Sequence, residues 1–184
     1  MASLRKSYLT VQDDHFPADM TISFGEQILT YRKRTWTIPD EESGEPLNKG
    51  LRYGENPGQE CALYELQTGN LVLGQCHFIE PGHGIVSSLS EDNFHQFGKH
   101  PSKINLTDID AAINILKYLT DRPAAVVIKH NNPSGAAYGA TIHDAFQKAY
   151  LADRLAAMGG CVAVNGTIDS ELAKLISEQY FEVV

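Results

Sequence analysis

The segment VVIKHNNPSGAA (126–137) places Lys129 and His130 side by side, where a short apolar run gives way to Asn-Asn-Pro-Ser-Gly. An ammonium beside an imidazole suits two tasks of acyl transfer: holding negative charge as it develops on a carbonyl oxygen, and moving a proton near neutral pH. By themselves the same two residues also suit a solvated loop after a strand. A second unusual segment, LRYGENPGQ (51–59), supplies Arg52, whose planar fork matches a phosphate or carboxylate, and Tyr53, whose ring can stack on a heterocycle. Gly54 and Asn56-Pro57 force the backbone there into a tight loop. Taken alone, this Arg-Tyr pair equally fits a surface ion pair with a packed ring.

Positioning these groups falls to the elements around them. The run AAVVI (124–128) predicts a buried strand with Lys129 and His130 at its carboxyl end, where open α/β sheets bind ligands. TDIDAAINILKYL (107–119) sets Ile109, Ala112, Ile113 and Leu116 at helical spacing, with Thr107 as N-cap and Asp110 as its capping partner. A second helix is predicted over about 142–156, capped by Thr141 with Asp144, and CVAV (161–164) reads as a strand. Asn165-Gly166 then turns the chain toward a helix capped by Asp169 and running to about residue 179, and FEVV (181–184) opens another strand. This alternation predicts an α/β layer with parallel neighbours joined by right-handed crossovers. FEVV would leave an apolar edge uncovered, so the expectation is that another chain covers it or that the polypeptide is part of something longer.

Upstream, the first fifty residues alternate briefly and then pass through PDEESGEPLNKG (39–50), so the region reads as an extended arm and acidic loop leading into the core. CALYEL (61–66) and LVLGQCHF (71–78), separated by Gln67-Thr68-Gly69-Asn70, predict a β-hairpin.

At 184 residues the chain can bury one good core or slightly more than one small domain. With 23 acidic against 15 basic residues the formal net charge is −8, which repels a phosphate backbone and argues against general nucleic-acid binding. Local Lys, Arg and backbone N–H groups can still hold a small anion. Cys61, Cys76 and Cys161 are widely spaced and form no C-x-x-C pair, so neither a disulfide framework nor a zinc site is expected and a reducing cytoplasm fits. No apolar run approaches the roughly 20 residues of a membrane span, so no membrane association is expected.

Together, LRYGENP and KHNNPSGAA resemble the aminoimidazole carboxamide ribotide (AICAR) formyltransferase domain of the bifunctional purine-biosynthesis enzymes. SKINLTDIDAA (102–112), AYLADRLAAMGGCVAVN (149–165) and FEVV extend the likeness over about residues 50–184. The resemblance implies a cytidine-deaminase-like three-layer α/β fold, of which only the first half is present. Residues 1–50 would be an N-terminal arm and loop and 51–184 the first such subdomain, without the second subdomain or the cyclohydrolase domain. It implies formyl transfer from 10-formyltetrahydrofolate, as co-substrate, to the AICAR amine on the way to inosine monophosphate. His130 would be the proton acceptor and Lys129 the stabiliser of transition-state charge. Arg52 and Tyr53 would hold the ribotide, joined by Gly159 through its backbone and Glu182 through its carboxylate. A homodimer, or a partner chain supplying the second half, would complete the site.

The chain departs from the family pattern at three places. Gly58 stands where the family has His, Lys103-Ile104 replaces Tyr-Asn and leaves Asn105 as the one amide of that segment, and Ser134 replaces a common Cys. A second reading is therefore a catalytically incomplete fragment or split subunit, acting as scaffold for a partner that carries the other half. A zinc-dependent nucleoside deaminase would need His-x-Glu and Pro-Cys-x-x-Cys sets, which the sequence lacks, so no zinc is expected.

Overall fold

Short alternating stretches divided by turn residues build small antiparallel sheets in the first part of the chain. The computed structural model describes residues 14–40, 43–95 and 99–184, except for the side chains of residues 78 and 79. The chain divides between Lys103 and Ile104 into two compact units. In the first, β1 (Asp19–Phe24) and β2 (Gln27–Lys33) form a hairpin. β3 (Trp36–Pro39) and β4 (Pro46–Lys49) pair with each other. β5 (Tyr64–Thr68) lies on the free side of β2, and β6 (Leu71–Leu73) pairs with β7 (Cys76–Ile79). Trp36 and Leu29, 1% and 2% exposed, anchor the core of this unit.

Two sequence expectations change here. The stretch read as an extended arm contains four strands. The hairpin expected between 61–66 and 71–78 does not form, because LVLGQCHF itself folds back at Gly74-Gln75, a shorter closure than the four-residue turn before it. Gln27 ties β6 to β2 instead: its amide donates to the Val72 carbonyl at 2.9 Å and its Oε1 accepts from the Val72 N–H at 2.6 Å. A short helix, α1 (Ile85–Ser88), follows.

The second unit is organised by α2 (Lys103–Leu116), β8 (Ala124–Lys129), β9 (Asn132–Tyr138), α3 (Ile142–Ala152), α4 (Arg154–Ala157), β10 (Cys161–Val164) and α5 (Ser170–Ser177). Five apolar residues in a row cannot alternate between core and water, and residues 124–128 are each 0% exposed in the central strand of the order β10-β8-β9. Ala125 and Val127 pack with Phe146, Ala149, Leu172 and Ile176 from α3 and α5, whereas Val126 and Ile128 pack with Ala112 of α2. Successive residues thus face opposite helices.

The expected parallel neighbours are corrected: β8 pairs antiparallel with both β9 and β10. The cause is β9, which the sequence disguised as a turn. Pro133 lacks an N–H and Gly135 lacks a side chain, yet both fit an edge strand that carries a register shift opposite Val127/Ile128. The strand expected at 181–184 reduces to one parallel bridge, Cys161 with Val183. There the Val162 N–H donates to the Val183 carbonyl at 2.9 Å and the Glu182 N–H to the Gly160 carbonyl at 3.0 Å.

Helix caps follow local chemistry. Thr141 Oγ1 accepts the Asp144 N–H at 3.1 Å, while Asp144 accepts the Ala140 N–H at 2.8 Å. Asp169 accepts the Leu172 N–H at 2.8 Å. The long helix expected over 142–156 is interrupted at Asp153, whose carboxylate caps α4 through the Ala156 N–H at 2.9 Å. Thr107 is not a cap: α2 begins at Lys103, and the Thr107 hydroxyl donates to the Ile104 carbonyl at 3.1 Å within the helix. Among the described residues no helix is long and apolar enough to cross a membrane.

Candidate functional site

Lys129 is the last residue of β8 and pairs across the hairpin with Asn132. His130 and Asn131 form the whole turn between β8 and β9, with φ of 52° and 63°. Two successive left-handed residues make a tight hairpin compatible with strand twist, and His and Asn are among the side chains that tolerate this region. The pair therefore sits at a hairpin tip, not at the end of a parallel strand, with Lys129 half-buried and His130 exposed. Asn132 Nδ2 donates to the His130 carbonyl at 2.9 Å, and the Asn131 N–H donates to Asp108 Oδ1 at 2.7 Å.

Lys129 Nζ donates to the Met158 carbonyl. That contact brings it beside Gly159, where an added methyl would lie 3.9 Å from Nζ and 3.5 Å from the Tyr180 ring. The Gly159 N–H donates to the Tyr180 carbonyl at 2.7 Å. Buried Asn105 donates from Nδ2 to Glu182 Oε2 at 2.7 Å. The second unit thus joins Lys129 with Gly159 and Asn105 with Glu182, through the adjoining segments 158–160 and 180–183.

Asp108 and Asn131 were not singled out by sequence reasoning. The structure brings Asp108 out: it and Asn105 are polar residues three apart on α2, both buried, at 3% and 7% exposure. The Cys161 and Cys61 thiols are poor nucleophiles. Burial, then the Asp108 charge, pushes Cys161 up to about 12, and burial is the main cause that pushes Cys61 up to about 11. Among the described residues no group of three or more His, Cys, Asp or Glu side chains could hold a metal ion.

Arg52 and Tyr53 belong to the first unit, and both are buried, with the Arg52 guanidinium 4.8 Å from the Tyr53 ring centre. Their backbone is held by the Arg52 N–H to the Pro101 carbonyl and the Lys103 N–H to the Tyr53 carbonyl, each at 2.9 Å. Gln59 closes the following loop, its Oε1 accepting from Glu55 N at 3.0 Å and Asn56 N at 3.1 Å. Gly58 sits at φ 77° with open space where a side chain would begin.

His100 is 3% exposed, and its Nε2 has no hydrogen-bond partner among the described residues. Burial, followed by the Arg52 and Lys49 charges, lowers its imidazole from 6.5 to about 4. The unfolded chain then binds a proton that the folded chain refuses, so stability is full above pH 6.5 and declines as pH falls toward 4. Thermal unfolding of the wild type and His100→Gln between pH 7 and 4.5 is expected to show an extra loss in the wild type, up to about 1.4 kcal/mol per pH unit below 6. Parallel pH curves for the two proteins would refute this.

The chain is similar to known proteins over most of its length. The family model described as AICARFT/IMPCHase bienzyme matches residues 18–184, which takes in the strands of the first unit. A bifunctional purine biosynthesis protein PurH from Nostoc sp. is 40% identical over 164 residues, covering 89% of this chain and 28% of that protein. The PurH of Halalkalibacterium halodurans is 37% identical over 150 residues, covering 78% and 26%. That of Aquifex aeolicus is 31% identical over 189 residues, covering 98% and 34%. The chain thus spans about a quarter to a third of the length of these relatives. A likeness that runs through both compact units and includes every candidate residue places the chain in the AICARFT/IMPCHase bienzyme family.

Proposed function

We propose that this chain is the first half of an AICAR formyltransferase, which moves the formyl group of 10-formyltetrahydrofolate onto the AICAR amine in purine synthesis. The observation that carries the reading is Lys129 and His130 at a tight two-residue hairpin tip, with Lys129 beside Gly159, in a chain matched by the family from 18 to 184. A cytidine-deaminase-like layering is supported by the order β9-β8-β10, by β8 running against both neighbours, and by residues 181–184 adjoining β10 in parallel.

The chemistry explains the residue types. The AICAR amine is conjugated with its ring and is a weak nucleophile, so it must lose a proton as it attacks the formyl carbon. His130 accepts that proton. The formyl oxygen gains negative charge, and the Lys129 ammonium holds it. When the tetrahedral centre collapses, the bond from carbon to the folate N10 breaks and a proton passes to that nitrogen. Arg52 and Tyr53 bind the ribotide phosphate and ring, and Asn105, Gly159 and Glu182 orient it. A homodimer or a partner chain in the cytoplasm completes the site.

The share of each relative that the chain covers favours a second reading, in which it supplies scaffold and half-sites to a partner. Isotope-labelled formyl transfer separates the two, measured for the purified chain alone and mixed with the remaining part of a relative's transferase. Lysine-dependent turnover by the chain alone supports the first reading, and turnover only in the mixture supports the second. Neither turnover nor AICAR binding in either case would overturn both.

A further inference from the structure

One buried carboxylate has no part in the mechanism above. Asp108 is 3% exposed on α2, and removing a carboxylate from water is costly unless donors meet it. The donor it meets is the Asn131 N–H, at 2.7 Å, one residue beyond His130. That amide belongs to a turn whose two residues both lie in the left-handed region, which costs L residues energy even where, as for His and Asn, it is tolerated, so a bond that holds it has an effect. The Lys129–Asn132 register closes the turn from one side, and Asp108 reaches it from the helix beneath. One helical turn earlier, Asn105 holds Glu182, so the start of α2 ties down both the hairpin tip and segment 180–183.

We propose that Asp108 is a positioning residue whose carboxylate, by holding the Asn131 N–H, fixes the left-handed His130-Asn131 turn and so sets where the His130 imidazole is presented. The inference rests on the reading of His130 as proton acceptor. Burying an ionised group serves no packing purpose that an apolar residue would not serve better, whereas a charged acceptor gives this amide a strong and directional bond.

The test uses the isotope-labelled 184-residue chain in solution NMR. In the wild type the Asn131 amide exchanges slowly and resonates downfield. In Asp108→Ala its exchange accelerates about 10- to 100-fold, the factor that corresponds to losing a hydrogen bond with a charged acceptor. The backbone coupling and imidazole signals of His130 shift with it. Asp108→Asn keeps an oxygen in place, so exchange stays slow while the amide moves upfield, because a neutral acceptor polarises it less. In the complemented transferase Asp108→Ala lowers kcat and leaves the ribotide KM unchanged, and Asp108→Asn recovers most of the rate. A folded Asp108→Ala chain whose Asn131 and His130 signals match the wild type overturns the proposal. If that variant does not fold, an unshifted Asn131 amide in Asp108→Asn overturns it equally. If the hairpin signals respond while His130→Ala leaves transfer intact, the reading of His130 as proton acceptor fails and the tie between Asp108 and the turn stands.

Discussion

His130→Ala is expected to slow formyl transfer to AICAR by about 10²- to 10⁴-fold, the usual worth of a positioned general base. Lys129→Ala should cost about 10²- to 10³-fold, as the loss of one preorganised charge stabiliser does. Both effects belong in kcat, because proton removal and oxyanion charge arise only as the nitrogen meets the formyl carbon. Ribotide affinity, measured by calorimetry on the same preparations, should change little. The double variant should be only slightly slower than the worse single one, since the two groups serve one transition state. Transfer that survives either substitution within about 3-fold would remove that side chain from the chemistry, and loss of binding with unchanged kcat would reassign it to ribotide capture.

Gly135→Ala should cost the second unit about 3 kcal/mol or more, at the upper end for overpacking. An added Cβ would lie 1.9 Å from the Ala149 carbonyl oxygen and 2.8 Å from its carbon, so the clash is with the backbone of α3 and no side-chain rotation relieves it. Either α3 moves off the sheet or β9 leaves the ladder, and both uncover the core residues Phe146 and Ala149. A domain stable by only about 5–15 kcal/mol loses much of its margin. Urea unfolding followed by far-ultraviolet circular dichroism checks this, and an unchanged midpoint would mean that helix and strand separate there at little cost.

Sequence reasoning succeeded where the determining interactions are local. Thr141 with Asp144, and Asp169 with Leu172, close their bonds within three residues, so the side chain and the amide it serves are read together. The strand at 124–128 was legible because a short, β-branched apolar run suits a strand covered on both faces. Failures came where distant partners decide. Pro133 and Gly135 are turn residues by type, and only the edge position beside β8 and the close approach of α3 make them a strand. Thr107 resembles a cap, but α2 begins four residues earlier. For the site, Lys129 and His130 were evident as chemistry, and the resemblance supplied Gly159 and Glu182. Asp108 was missed because its partner is a backbone amide 23 positions away, and a main-chain N–H leaves no mark on residue type.

Pro133 has a bearing on self-association. An uncovered strand normally offers a row of donors and acceptors that invites a foreign chain to dock, the first step toward fibrils. With an imino nitrogen at its second residue and a glycine two positions later, β9 makes a discontinuous template, so that margin of the sheet resists templated growth.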